Sequence, residues 1–496
     1  MYIFVALINT SIINLIIKTL VMKMKQLLKC GLVAALAVVS FNAQAANVDA
    51  NTAKTTANKF IKQKYAQQGK MMAPASADFK LAYTEASSVS GNAYYVFNIT
   101  GGRGWVIVAG DDLAKQVLAY GNTVNIDMNN LPGSMKDYLN LYKNQIQEMQ
   151  SYKGQVIPIK TAKRSTVVEP ILKSTWGQGN PFNRRIPMVS GEHASVGCGP
   201  LAMAQIMYYW KYPNECSGVE QYYIYNSSVG TMPALPATTF KFDQMLDTYT
   251  IYYPEQNAYS TGTFTDEQAD AVAELCLYCG QACKTRYGSS SGSGSYTQDQ
   301  REAFKMMGYN SELKLIGIWP SYYCDNSNRF TDEEWINLIH DELEEGHPIP
   351  YHNVDFIDGH AWVLDGVDAD GKFHMNWGWN EVYNGWFEYG AFTVYPNGET
   401  WNFNGSSNEM VVGVFPYEGY VIPGGDTPEP EVKRGDVDGN GNVDMDDLSA
   451  LINFLLNESS PINTAGAASC SNADDTTAVD MDDLSALINF LLTSQW

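Results

Sequence analysis

Apolar and polar positions change period along this chain, and the changes mark its parts. "NAYYVFNI" and "RGWVIVAGDD" alternate with a period of two around the turn "TGGRG", as paired strands do. "MKDYLNLYKNQIQEMQ" then spaces its apolar residues three and four apart and predicts a helix. An apolar run begins at Cys198 in "SVGCGPLAMAQIM", and its Gly-Pro pair predicts a helix start with Pro200 at the first helical position, where the missing N–H costs nothing. "TDEQADAVAELCLYCGQACK" and "TDEEWINLIHDELEEG" read as two more helices, the second opened by a capping box of Thr331 and Glu334. "HAWVLDGVD", "KFHMNWGW" and "GWFEYGAF" return to strand alternation. Helices and strands in separate blocks predict an α+β class.

Breaks in the pattern give a domain plan. Two apolar runs occupy residues 1–45. The second has the anatomy of a signal peptide, with Lys23 and Lys25, an apolar core and the site Ala43-Gln44-Ala45, and the first reads as an upstream extension. Residues 46–164 form a small α+β unit that ends in the basic, cuttable stretch "KTAKRS". The main unit spans 165–420 and includes the low-complexity loop "YGSSSGSGSYTQ". A Pro- and acid-rich linker, 421–434, leads to a repeated unit, 435–496, in which "VDMDDLSALINFLL" occurs twice, 36 residues apart.

Charge and cysteine narrow the class. The net charge of −22 argues against nucleic acid, whose phosphates need clustered Lys and Arg. About half of it falls after residue 425, where fourteen acidic residues face two basic ones. Export would place the protein outside the cell or on its surface, where cysteines pair. Of the eight cysteines, Cys30 lies in the signal core and seven remain, so at least one is free or bridges to another chain. Cys276, Cys279 and Cys283 share one helix face, which points to core packing, with a disulfide to Cys216 or Cys324, rather than to a metal.

The main unit carries candidate acyl-transfer chemistry. Cys198 at a helix start gains positive potential, which favours the thiolate. His360 follows a glycine and opens a strand, and a hairpin at "DADG" would bring Asn376 of "NWGW" beside it. The order Cys, His, Asn fits a thiol nucleophile with a base and an orienting group. Gln178 in "GQGNPFN" lies 20 residues before the cysteine and could donate to a tetrahedral oxyanion.

These blocks, "VGCGPLAMAQIMYYWKYP", "DGHAWVLDGVD" and "HMNWGW", resemble those of the streptopain-type cysteine peptidases, family C10 of the papain-like clan. "GWVIVAGDD", "VLAYGN" and "LPGSMKDYLNLYKNQI" are similar to that family's inhibitory propeptide. The resemblance implies a papain-like domain behind a small α+β propeptide. It implies a zymogen cleaved near 160–170 and an endopeptidase that takes protein or peptide substrates with an apolar side chain at P2. No cofactor would serve catalysis. By position it makes Cys198 the nucleophile, His360 the general base and Gln178 the oxyanion amide. Asn376 and Trp377 match the pair that supports the histidine; the spacing leaves both open, and the resemblance favours Trp377. The chain departs from the family in the Gly-Pro-Leu after Cys198 and in Asn380, where a glycine is usual. The competing readings are a cysteine–histidine amidase or transamidase and a non-enzymatic adhesin whose tail is the working part.

"DVDGNGNVDMDD" sets Asp436, Asp438, Asn440, Asp444 and Asp447 at positions 1, 3, 5, 9 and 12 of a calcium loop, with Gly441 at the turn. With its following helix it resembles a dockerin type I repeat, which implies an all-α, calcium-loaded tail and a cohesin-like partner. The second copy, with Asn472, Asp474, Thr476, Asp480 and Asp483, has Thr477 in place of the turn glycine and is a weaker loop.

Overall fold

The structure is a computed structural model that describes residues 46–67, 79–100, 104–152, 156–158 and 166–416, with breaks at 226, 289–291, 311–313, 318–329, 331, 355–358, 392–393 and 397–406. In the tail it describes 434, 435, 437, 443, 445–456, 479 and 481–493. The signal segment, the 160–165 linker and Thr331 lie outside the described residues.

Ten strands join in one antiparallel sheet: β1 (Phe79–Ala86), β2 (Asn92–Ile99), β3 (Trp105–Ala109), β4 (Val117–Gly121), β5 (Lys314–Gly317), β6 (Ile349–Val354), β7 (His360–Val367), β8 (Phe373–Asn376), β9 (Gly385–Phe387) and β10 (Ser407–Val412). Their order is β1-β2-β3-β4-β9-β8-β7-β6-β10-β5. The strands expected from "NAYYVFNI", "RGWVIVAGDD" and the three late blocks are all present. The sheet does not stop at the end of the amino-terminal unit: β4 pairs with β9, Tyr120 opposite Trp386 and Ala119 opposite Phe387. Residues up to 420 form one compact unit.

Charged side chains are buried along this seam. Lys64, at the end of α1 (Ala50–Gln67), reaches Asp368 at 2.7 Å and Asp370 at 2.8 Å. Tyr120 donates to Asp368 at 2.8 Å, Lys372 meets Glu388 at 2.7 Å, and Lys115 also reaches Glu388. Burial by itself would raise the Asp368 carboxyl, but Lys372 and Lys64 outweigh it and hold it below the usual range. The second helix, α2 (Gly133–Ser151), lays Tyr138 edge-on against Trp362, Trp377 and Phe387.

The helix α3 (Cys198–Trp210) runs through the core, buried without interruption from Gly199 to Tyr208. Gly197 is its N-cap, so Pro200 stands at the third helical position and not the first. The proline is tolerated there for the reason expected at the first: no N–H in the opening turn has an intrahelical acceptor. Against α3 packs α4 (Asp266–Ala282), whose start is a capping box between Thr265 and Gln268. Cys276, Cys279 and Cys283 face inward from α4 and are fully buried. Cys279 Sγ lies 3.5 Å from Met207 Sδ and Cys283 Sγ 3.6 Å from Met203 Sδ, a sulfur-rich patch of ordinary core packing. The expected disulfide to Cys216 is not made; Cys216 is a free thiol turned to the Gly218 carbonyl at 3.7 Å. Cys324 and Cys470 lie outside the described residues. Two further helices, α5 (Thr297–Met306) and α6 (Asp332–Glu344), complete this unit.

The tail, 421–496, is a second compact unit. The duplicated sequence forms α7 (Met445–Leu456) and α8 (Met481–Thr493), which bury Leu451 and Leu487 around Val437. Among the described residues no helix is long and apolar enough to cross a membrane.

Candidate active site

Gly197 and α3 place Cys198. Gly197 has φ +97°, a conformation side chains rarely adopt, and it turns the chain into the helix so that Cys198 is its first residue. The turn is tied to a second segment, because the Val196 N–H donates to the Gln178 carbonyl at 3.0 Å. Gln178, half-buried, is thereby held beside the cysteine loop.

Strand β7 brings His360 to the same place. The backbone N–H groups of Ala361, next to His360 in sequence, and of Gly199 and Cys198 itself lie near enough to the Cys198 sulfur to favour its thiolate. His360 Nε2 lies 3.0 Å from the Trp377 carbonyl. A carbonyl can only accept, so Nε2 carries the proton and Nδ1 keeps a lone pair. Three indoles stack on the imidazole: Trp379 with its centroid 4.9 Å away, and Trp362 and Trp377 at 6.2 Å.

Burial pushes the Cys198 thiol above its ordinary value, against the pull of those three N–H groups. Burial also lowers His360, to about 4, against the Trp377 bond, which favours the charged form. In the full-length chain the two groups therefore stand near neutral pH as thiol and neutral imidazole.

The β7–β8 hairpin forms as expected, with Val363 opposite Asn376, but it does not turn the Asn376 side chain toward His360. That amide donates to the Ser174 carbonyl at 2.8 Å and to Gln205 Oε1 at 3.3 Å, and its oxygen accepts the Gly378 N–H at 3.3 Å. Asn376 does not meet the imidazole directly: its oxygen holds the N–H of the Trp377–Gly378 peptide, whose carbonyl meets His360, while its NH2 fastens β8 to the segment leading to Gln178. The imidazole is held by the main chain of Trp377, whose own N–H goes to Asn384 Oδ1 at 3.0 Å. The second indole of "NWGW", Trp379, is the ring nearest His360 and was legible as a residue but not as a neighbour. Asn380 adopts φ +56°, gives its N–H to the Trp176 carbonyl at 3.0 Å, and lays its amide over Gly177, where any Cβ would fall 2.4 Å from Oδ1.

In the tail, Asp436, Asp438, Asn440 and Asp444 lie outside the described residues, as do the loop residues of the second copy before Asp483. Asp447 and Asp483, at position 12 of each copy, are both buried at the first turn of their helices, and Asp447 accepts the Val437 N–H at 2.8 Å. Inward-facing carboxylates at matching points fit a cation held by the preceding loops.

Comparison with known proteins gives three family matches. The Peptidase C10 family model matches residues 176–387, the Spi protease inhibitor model residues 45–146, and the Dockerin type I domain model residues 434–493. Streptopain of Streptococcus pyogenes is 30% identical over 393 residues, 73% of this chain and 91% of that protein. The thiol protease/hemagglutinin PrtT of Porphyromonas gingivalis is 26% identical over 88% of this chain, which spans 49% of that longer protein. A prointerpain A fragment from Prevotella intermedia superposes with a TM-score of 0.52 at 28% identity, covering 68% of this chain and all of the fragment.

Proposed function

This chain belongs to the Peptidase C10 family of cysteine peptidases, with an inhibitory propeptide domain before the peptidase and a dockerin type I domain after it, and on that premise we propose how it works. Cys198 is the nucleophile and His360 its base. The observation that carries this is a cysteine at the start of a buried helix, with the N–H of Ala361 favouring its thiolate and the adjacent His360 fixed by its Nε2–H on the Trp377 carbonyl. That bond leaves Nδ1 to take the thiol proton. The thiolate attacks the scissile carbonyl, and the Cys198 N–H and the Gln178 amide receive the oxyanion, at about 3 kcal/mol per donor. The imidazolium then gives its proton to the leaving amine, and water, deprotonated by His360, cleaves the thioester. Trp362, Trp377 and Trp379 stack on the ring of the imidazole and leave Nδ1 for the thiol and the incoming water.

The protein is an exported zymogen, cut between the propeptide and the peptidase near 160–170, and it prefers an apolar P2 side chain. Its tail binds calcium through Asp436, Asp438, Asn440, Asp444 and Asp447 and docks on a cohesin-like module. The test is cleavage of casein by the processed chain, with and without a thiol alkylator. The Cys198→Ala chain is expected to lose all activity and to stay at full length; activity in that variant overturns the reading. For the tail, millimolar calcium is expected to raise the melting temperature of a 426–496 fragment, read by calorimetry.

A further inference from the structure

Behind the cysteine lies a second histidine that the reaction does not use. His352, in β6, is 4% exposed and stands opposite Ala361 of β7. Its Nε2 is 2.7 Å from Oε1 of Gln300, a fully buried residue of α5. Nε2 of the same amide donates to the Gly199 carbonyl at 2.6 Å. There is no slack at this point, since a Cβ on Gly199 would lie 2.6 Å from Ser295 Oγ and 3.6 Å from His352 Cε1.

The polarity of this relay is fixed at one end. An amide can present either its oxygen or its NH2 to a neighbour. Turned over, Gln300 would press its oxygen on the Gly199 carbonyl oxygen. The Gly199 carbonyl rules this out, because it can only accept: it takes the amide NH2, so Oε1 faces His352, whose Nε2 carries the proton. His352 thus anchors Gln300 on the Gly199–Pro200 peptide, the unit that directly follows the Cys198–Gly199 peptide and its N–H, and it backs Ala361 as its cross-strand neighbour. Gly199 and Ala361 supply two of the three N–H groups that favour the Cys198 thiolate.

We propose that His352 is a positioning residue of the peptidase reaction: through Gln300 and Ala361 it holds the backbone N–H groups that steady the Cys198 thiolate. From the strands packed on α3 the titratable groups are His360 of β7 and His352 of β6, while α4 turns its buried thiols Cys279 and Cys283 to Met207 and Met203 further along α3. Helix α5 faces it with the neutral Gln300, its Asp299 being paired with Lys284. Burial, and then the neighbouring His360, lower His352 to about 3, so it works as a neutral donor.

The inference rests on Cys198 being the nucleophile. The test uses the full chain with His352→Leu, His352→Gln and Gln300→Leu, each compared with the parent. Two properties are read: kcat/KM on a chromogenic peptide after processing, and the pH dependence of iodoacetamide alkylation at Cys198, followed by mass spectrometry on the unprocessed chain. His352→Leu and Gln300→Leu are each expected to lower kcat/KM about tenfold, the worth of one weakened hydrogen bond to a charged group. They should also move the alkylation midpoint up by about one pH unit. The double variant should be no worse than His352→Leu alone, because Gln300 acts only within the chain that begins at His352. His352→Gln, which can still donate to Gln300, should restore both properties. A merely structural loss would not shift the alkylation midpoint, nor be cured by glutamine. An unshifted midpoint in His352→Leu, or in Gln300→Leu should the former not fold, overturns the proposal. A Cys198→Ala chain that kept its activity would instead bring down the reading beneath it.

Discussion

At the scale of the residue, the site separates two jobs that sequence order had placed together. Asn376 and Trp377 are neighbours in "NWGW", yet only the second touches the imidazole, and it does so with its main chain. Asn376 secures Ser174 and Gln205 and so the segment that ends in Gln178. Replacing it with alanine leaves the Ser174 carbonyl and Gln205 short of a donor in a buried place, at about 1–3 kcal/mol. Asn376→Ala should therefore lower the melting temperature and slow peptide cleavage. The Gly378 N–H also loses its acceptor, so the Trp377 carbonyl holds His360 less firmly, and kcat should fall more than KM rises. Cys198, His360 and Gln178 can be seen in the sequence as a helix-start cysteine, a strand-start histidine and an upstream amide, and the family resemblance assigns their roles. The Trp377 carbonyl cannot be seen there, since every residue has one and its peptide is set by the Gly378 N–H, which donates to Asn376 Oδ1. His352 and Gln300 were hidden for a related reason: their meeting depends on the pairing of β6 with β7 and on the docking of α5.

At the scale of the element, the strands and helices followed their periods closely, while their joining did not. "VLAYG" is a short apolar run and "GWF" opens an alternating block, but nothing in either says that β4 will pair with β9. Partner choice comes from side chains far away in sequence, above all the lysines and carboxylates along the seam. Stripping one member from a buried pair costs about 3 kcal/mol, because its partner keeps the burial without the charge. Lys64→Ala, made in the Cys198→Ala background to prevent cutting, should therefore melt several degrees below its parent. An equal melting temperature would mean that the Lys64–Asp368 pair does not hold α1 in place. The cysteine face of α4 makes the same point in reverse: its spacing showed which side is buried, and Met203 and Met207 of α3, not a disulfide, fill the space opposite.

At the scale of the whole molecule, the two histidines make the folded chain sensitive to acid. Both are lowered, His352 to about 3 and His360 to about 4, from an ordinary value of 6.5. Below pH 6.5 the unfolded chain takes up protons that the folded chain refuses, so stability is whole above that pH and falls as pH drops toward 4. Each histidine contributes about 1.4 kcal/mol per pH unit across that window. Asp368, held low, adds a loss of its own only as pH falls below the usual carboxylate range. The melting temperature of the Cys198→Ala chain should fall between pH 7.5 and 5, and His352→Gln should flatten the slope. The seam of the ten-stranded sheet has a different consequence once the propeptide departs. Gly385–Phe387 becomes a bare rim of unpaired N–H and C=O groups, which any extended segment could extend into a larger assembly. Lys64 and Lys115 leave together with β4, so Asp368 and Glu388 then share Lys372 alone. The freed rim is only three residues long and carries surplus negative charge, so two processed molecules repel each other at the very surface where they would otherwise polymerise.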